Sequence, residues 1–397
     1  MMVRTRRSFG AGTVAAAMLL AAGGSGNASG VSVASVSGAD VVGVTDDSIR
    51  ISMVAPFSGV YKDIIESVVR NGAQVRVDEI NASGGIHGRT IELVQVDNFN
   101  TPEGGVSACE ETQSNDTFIP FGYVGFEPSV SGVPCLDEAG IPAIVQELPP
   151  EGSEHSYAYN QNDASYAELY AQLISERFPD QNVGIVYLNQ GTYESAKDAT
   201  VAALEESGIT VVGSEAIEAG QPAVVPQLTR LKDAGTDVLL MIVTVETISL
   251  YGGLAQMGWA PQVITASQGT VDGYMQVVGE QAAGSLGVHW WAGSDVPEYA
   301  EYVEVAEETG APGPLDADTF SYYAMASLLV AALEAAGPDL NHATFEAGLL
   351  SLQGVQVPGY APVTFSADDH WGPDQAWVLE CCQPDGSYLT VGLLGDG

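Results

Sequence analysis

The chain has 397 residues, with 12 basic and 51 acidic side chains and a net charge of −39. Its length suits about two domains, and its 46% hydrophobic content suits a globular α/β protein rather than a disordered chain. So acidic a chain is excluded as a nucleic-acid binder, because phosphate contacts need basic patches; the charge draws in cations and keeps the surface soluble.

Residues 1–30 read as an export signal: Arg4, Arg6 and Arg7 at the start, an apolar run from Val14 to Ala22, then small residues. Thr5-Arg-Arg-Ser-Phe9 also fits the twin-arginine pattern, so the general and twin-arginine routes both stay open. The apolar run falls short of the ~20 residues a membrane span needs. Residues 31–45, rich in Gly, Ser and Val, are expected to be a flexible spacer.

Regular structure begins after it. Ile49, Ile51 and Met53 alternate with polar residues and the run ends at Pro56, which predicts a strand. Val69, Ala73, Val77 and Ile80 recur at helical spacing. Gly84-Gly85 stops that helix, since glycine reaches left-handed backbone angles without a Cβ clash. Thr90 to Val96 then forms a second strand. In such a β-α-β unit the first loop, Ser58 to Tyr61, lies at a strand C-terminus, where open parallel sheets place ligands.

Phe57-Ser-Gly59, Ile80-Asn-Ala-Ser-Gly-Gly-Ile-His-Gly-Arg89 and Ile91-Glu-Leu-Val94 resemble the branched-chain amino-acid (leucine/isoleucine/valine) binding protein family. These are substrate-binding proteins of ABC transporters with the type I periplasmic-binding fold. Members are often lipoproteins, but here Leu20-Ala-Ala22 is followed by Gly23 instead of the lipidated cysteine. The mature protein is therefore expected in the periplasm or at the cell surface without that anchor.

Further strands are predicted near residues 119–124, 142–145, 183–188, 210–212, 238–244 and 262–266, with helices such as 164–178 and 194–207 between them. That alternation argues for parallel sheets flanked by helices. The strands are too many for one small sheet, and Pro149-Pro-Glu-Gly-Ser153 marks a break. The expected fold class is α/β, with two doubly wound parallel-sheet lobes. The resemblance continues through residues 225–238, 254–258 and 324–337, and Val363 to Gly372 resembles the family's terminal hairpin. It implies three crossings, near residues 160, 287 and 358. Lobe 1 would comprise 46–160 and 288–357, and lobe 2 would comprise 161–287 and 358–397, joined by a three-segment hinge.

Cys109 is expected on the helix after Asp97 and Cys135 near the start of the next. In an oxidising compartment a bridge between them is expected, worth about 3 kcal/mol; two buried free thiols are the alternative. On a strand, Cys381 and Cys382 would face opposite sides, so one buried and one exposed thiol is expected in preference to a bond between them.

No nucleophile elbow, phosphate loop or metal-ligand motif occurs, and His87, His155, His289, His342 and His370 are scattered. The expectation is a binding protein, not an enzyme, without cofactor or metal. Its contacts belong at strand-end loops. These are Ser58 and Tyr61; Gly125, Phe126 and Glu127; Gln146 and Glu147; Asn189 to Tyr193; Thr244 and Glu246; and Gln268. Trp290 and Trp291 stand at the second crossing, to meet ligand or to plug the hinge core. Tyr123 is a further candidate aromatic wall.

By the resemblance, Tyr193 falls where relatives place an aromatic against the ligand, and Gln268 where they carry an acid for the ligand's ammonium. A neutral amide cannot supply that charge-assisted bond. Glu147-Leu-Pro149 aligns with the residues that hold the ligand carboxylate, yet Glu147 would repel an anion and proline has no N–H to offer. The expected ligand is thus a small polar molecule, whether amino-acid-like, amide or cationic metabolite. The resemblance implies delivery to an ABC permease, and a monomer is expected. A sensor domain of the same fold and a two-lobed α/β enzyme are the alternatives.

Overall fold

The computed structural model describes residues 41–149, 152–269, 271–382 and 387–395. The expected export signal and most of the spacer lie outside these residues. Residues 41–45 do not behave as a spacer: the Arg50 N–H donates to Gly43 O at 2.8 Å, tying this stretch to the first strand.

Strand β1 (Ser48–Ala55) is the spine of a five-stranded parallel sheet. It pairs with β2 (Thr90–Asp97) on one side and β3 (Ile119–Gly122) on the other, and β4 (Ala143–Val145) and β5 (Ser156–Ala158) complete the order β2-β1-β3-β4-β5. Ile49, Ile51 and Met53 are wholly buried in the same core as Val69, Ala73 and Val77, the expected helix face. That helix is two pieces, α1 (Lys62–Val68) and α2 (Gln74–Ala82), joined by a π-turn at Val69–Ala73. Gly85 ends it with φ +70° and an N–H bond to Ile80 O at 2.9 Å, and a side chain there would collide with Arg89 O. Helices α3 (Pro102–Ser114) and α4 (Phe126–Ala139) follow β2 and β3.

The second sheet has seven strands. β6 (Val183–Leu188), β7 (Val211–Ile217), β8 (Val238–Ile242), β9 (Gln262–Ala266) and β10 (Leu286–His289) run parallel in the order β7-β6-β8-β9-β10. The antiparallel strands β11 (Ala376–Cys381) and β12 (Tyr388–Leu394) extend it beyond β10. Every residue of β8 is buried, as expected of a central parallel strand covered on both faces. Its helices are α5 (Asp163–Arg177), α6 (Gly191–Glu206), α7 (Val225–Asp233), α8 (Thr247–Met257) and α9 (Asp272–Val278). The last three, α10 (Pro297–Thr309), α11 (Ala317–Ala336) and α12 (His342–Leu350), return to the first lobe, with α11 against the π-turn and α2.

The chain passes between the lobes three times: through residues 159–162 into α5, 290–296 into α10, and 351–375 into β11. The crossings bond to one another. Ala292 N–H donates to Gly359 O at 2.7 Å, Ala361 N–H to Trp290 O at 2.9 Å, and the Tyr360 hydroxyl to Tyr159 O at 3.0 Å.

Several expectations need correction. The break at Pro149 lies within the first lobe, whose sheet β5 completes before the expected crossing near 160; the second crossing comes after His289 of β10 instead of near 287, and Trp371, beyond the expected third crossing near 358, still pairs with Ala158 of β5. β7 runs on through Gly213, Ser214 and Glu215, since an edge strand tolerates polar, half-exposed residues. Val363 to Gly372 is a turn closed by Thr364 N–H to Gly372 O at 2.8 Å; the terminal hairpin is β11–β12. Cys109 and Cys135 are bridged, their Cα atoms 6.3 Å apart, but Cys135 lies in the second half of α4. Cys381 and Cys382 are bonded to each other instead of free. The strand stops at Cys381, so alternation no longer forces the next side chain to the opposite face.

Candidate ligand cleft

Strand order reverses between β1 and β3 in the first sheet and between β6 and β8 in the second. Loops leaving the C-terminal ends of such strands form the crevice where α/β sheets hold ligands. After β1, half-buried Ser58 precedes a 3-10 turn, Gly59–Tyr61, that leaves Tyr61 42% exposed. After β3, Gly125 caps α4 at φ +106°, and its N–H donates to Gln146 Oε1 at 2.9 Å. A side chain on Gly125 would strike Asn100 Oδ1. Phe126 is half-buried yet belongs to none of the hydrophobic clusters, and Glu127 is exposed on the first turn of α4. Tyr123 is not a cleft wall. It is wholly buried beside Gly132 of α4, with its hydroxyl donating to Gly105 O of α3 at 3.1 Å.

In the second lobe, Asn189 is held by Glu218 Oε1 at 2.7 Å, while Tyr193 sits half-buried in the first turn of α6. Glu246 is 4% exposed and tied to its own lobe: its carboxylate accepts from Gly220 N–H at 2.8 Å and from the Thr244 hydroxyl at 2.9 Å. Gln268 is half-buried in the 3-10 turn Ser267–Gly269 after β9. Trp290 and Trp291 are 6% and 8% exposed and meet edge to face at 4.6 Å. They plug the hinge core, which leaves Trp290 little surface for a ligand.

Electrostatics tie the two lobes to one place. Glu147, just past β4, is half-buried, and Asn160 Nδ2 donates to its Oε1 at 3.0 Å. Burial pushes its pKa up to about 8; the Asn160 bond pulls it down and the nearby Asp163 carboxylate adds to the rise. The carboxyl is therefore mostly protonated at pH 7. The Tyr193 hydroxyl is raised by burial and then by Glu147, Glu246, Tyr61 and Tyr274. Burial pushes Tyr274 up to about 12, with smaller contributions from Tyr61, Asp318 and Glu246. Glu147 and Tyr61 leave the first sheet, whereas Tyr193, Glu246 and Tyr274 leave the second, so Tyr193 responds to acids from both. Nearby, Asp272 at the start of α9 accepts from Ala317 N–H at the start of α11, 3.2 Å across the lobes. Burial, then Asp272 and Asp316, hold Asp318 well above the usual carboxylate range.

No basic side chain is among the groups acting on Glu147, Tyr193 or Tyr274. Lys62, the base beside Tyr61, pairs with Glu66 at 3.7 Å. No trio of metal-ligating side chains gathers among the described residues. Sequence reasoning missed Tyr159, Asn160 and Tyr166, which face Glu147 from the first crossing and α5. Their signal was faint, because β5 is three residues long and gives no alternation to mark a strand end.

The profile described as periplasmic binding protein matches residues 48–386. The chain belongs to that family. It is 28% identical over 309 residues to the Leu/Ile/Val-binding protein BraC3 of Rhizobium johnstonii, covering 73% of this chain and 80% of that one. Among solved structures it resembles the leucine binding protein LivK of Thermotoga maritima, at TM-score 0.73 and 15% identity, over 87% of this chain and 99% of that one. It also resembles an R. palustris solute binding protein in complex with 4-hydroxybenzoate, at TM-score 0.76 and 18% identity, over 88% and 98%. The expected likeness to the branched-chain amino-acid binding proteins and the type I fold both hold, and a general solute-binding role comes with them.

Proposed function

We propose that this chain is an exported, monomeric solute-binding protein that captures a small polar ligand between its lobes and delivers it to an ABC permease, without turning it over. The lobes divide at the three crossings, with β1–β5 and α10–α12 on one side and α5–α9 with β6–β12 on the other. One observation carries the reading: Tyr193 feels Glu147 and Tyr61 from one sheet and Glu246 and Tyr274 from the other. Closure desolvates that space and sandwiches the ligand. Ser58, Tyr61, Gly125, Phe126 and Glu127 line the first-lobe side with Glu147, and Tyr193, Thr244, Glu246 and Gln268 the second. Trp290 backs the site from the hinge. The relatives' names specify leucine, isoleucine and valine, and one structural neighbour holds 4-hydroxybenzoate. Carboxylates and tyrosines without a base favour a cationic or amide-bearing ligand here.

A thermal-shift screen against charged, zwitterionic and neutral metabolites tests the role. A ligand at about 100 times its dissociation constant adds ~2.7 kcal/mol of stability, enough to shift the melting transition. No shift with any member at millimolar concentration, together with no partition into the cleft in a soaked crystal, overturns the reading.

A further inference from the structure

Glu147, just past β4, and Asn160, in the first crossing, lie side by side and are joined by a hydrogen bond of 3.0 Å. Asn160 is 1% exposed, and its amide nitrogen is spent on Glu147 Oε1. Its own Oδ1 is buried and has no hydrogen-bond partner. A buried amide oxygen without a donor costs free energy, so it marks a place where a donor belongs. The groups facing the Glu147 carboxyl are Asp163 and Tyr166 of α5, Tyr159 of the first crossing and Tyr193 of α6. None carries positive charge. The structure therefore offers a carboxyl and an amide oxygen beside three phenol rings, a combination that suits an N–H-bearing cation through charge-assisted bonds and ring faces.

We propose that the solute is an organic ammonium or guanidinium ion, and that its binding at Glu147 and Asn160 Oδ1 expels a proton from the Glu147 carboxyl into solvent. The inference rests on the solute-binding role and names its substrate class and its coupling. The exchange balances: a neutral carboxyl and a free cation give a carboxylate–cation pair and one proton, taken up by buffer. Neither charge is left unpaired in the closed, desolvated cleft, which is why a site that cannot hold a bare carboxylate can hold the pair. In the empty protein the carboxyl titrates near 8. Binding at pH 7 should then release about nine-tenths of a proton, and at pH 9 about a tenth. Affinity should tighten about tenfold from pH 6 to 7 and level off above pH 8.

Titration calorimetry tests this with agmatine and putrescine, with choline as a cation lacking N–H, and with leucine and 4-hydroxybenzoate as zwitterion and anion. Repeating each titration in two buffers of different ionisation enthalpy counts the protons. The expected result is binding of agmatine or putrescine at least tenfold tighter than choline, with proton release at pH 7. Glu147→Gln should abolish the release; because the proton count is read on the unaltered protein, it stands even if that variant folds poorly. An anion that binds with proton uptake and weakens above pH 8 would overturn the proposal while leaving the solute-binding role intact. So would binding of the cations without release. If no cation binds the proposal falls, and if nothing of any charge binds the solute-binding role falls with it.

Discussion

Replacing Glu147 with Gln should stabilise the ligand-free protein in alkaline solution. Unfolded, this carboxyl titrates near 4.5, whereas burial in the folded protein lifts it to about 8. Between those values the unfolded chain has released a proton that the folded chain keeps. The group's contribution is thus fully present below about pH 4.5, declines as pH rises, and is gone above about pH 8. Each pH unit in that window is worth ~1.4 kcal/mol, which bounds the whole loss at about 5 kcal/mol. Solvent screening of the half-buried carboxyl makes that figure an upper limit. Gln has the same shape, keeps an oxygen for Asn160 and does not titrate. Denaturant unfolding of both proteins at pH 4.5 and 8.5 provides the assay. Asp163, lifted to about 6 by burial, is present in both and largely cancels. The variant should match the parent in acid and exceed it by up to about 5 kcal/mol at pH 8.5. Equal stabilities at both pH values would refute burial of an ionisable Glu147.

Reducing the Cys109–Cys135 bridge should cost about 2–4 kcal/mol, and mass spectrometry of alkylated, non-reduced protein should find neither thiol modified. Asp272→Ala removes the bond to Ala317 N–H across the lobes and should weaken closure by about 1–2 kcal/mol, seen as a larger radius of gyration in small-angle scattering; an unchanged radius would show the bond to be incidental. Gly125→Ala should destabilise by at least ~1 kcal/mol in denaturant, because its backbone angle and the adjacent Asn100 side chain leave no room for a methyl group. Added salt should raise the melting temperature by screening carboxylate repulsion, since 51 acidic residues face only 12 basic ones; a salt-independent melt would contradict this.

The fold was legible where hydrophobic periodicity was strong. Val183–Leu188 and Gln262–Ala266 were read to the residue, and the Val69-Ala73-Val77 face packs as its spacing required. The π-turn within that face left no trace, because its effect depends on α11 packing against it from far along the chain. Short or edge strands failed for the converse reason: β5 and the end of β7 owe their existence to neighbours rather than to their own pattern. At the site, the switch-point rule led to the right loops but not to side-chain direction. Tyr123 and Glu147 both follow strands, yet one is sealed between helices and the other is raised toward neutrality beside Tyr193. Asn160 was missed because its importance lies in a partner thirteen residues away.

The central claim is that the cleft takes a small solute and that its acids select for positive charge. Calorimetry on one preparation at pH 7.5 tests it, comparing leucine, isoleucine and valine with agmatine, putrescine and a neutral amide. The account predicts micromolar binding of at least one of the cations and no heat from the branched-chain amino acids. Micromolar binding of leucine, isoleucine or valine with none of the cations would contradict it, and would mean that backbone N–H groups near Gly125 and Phe126 hold a carboxylate despite Glu147.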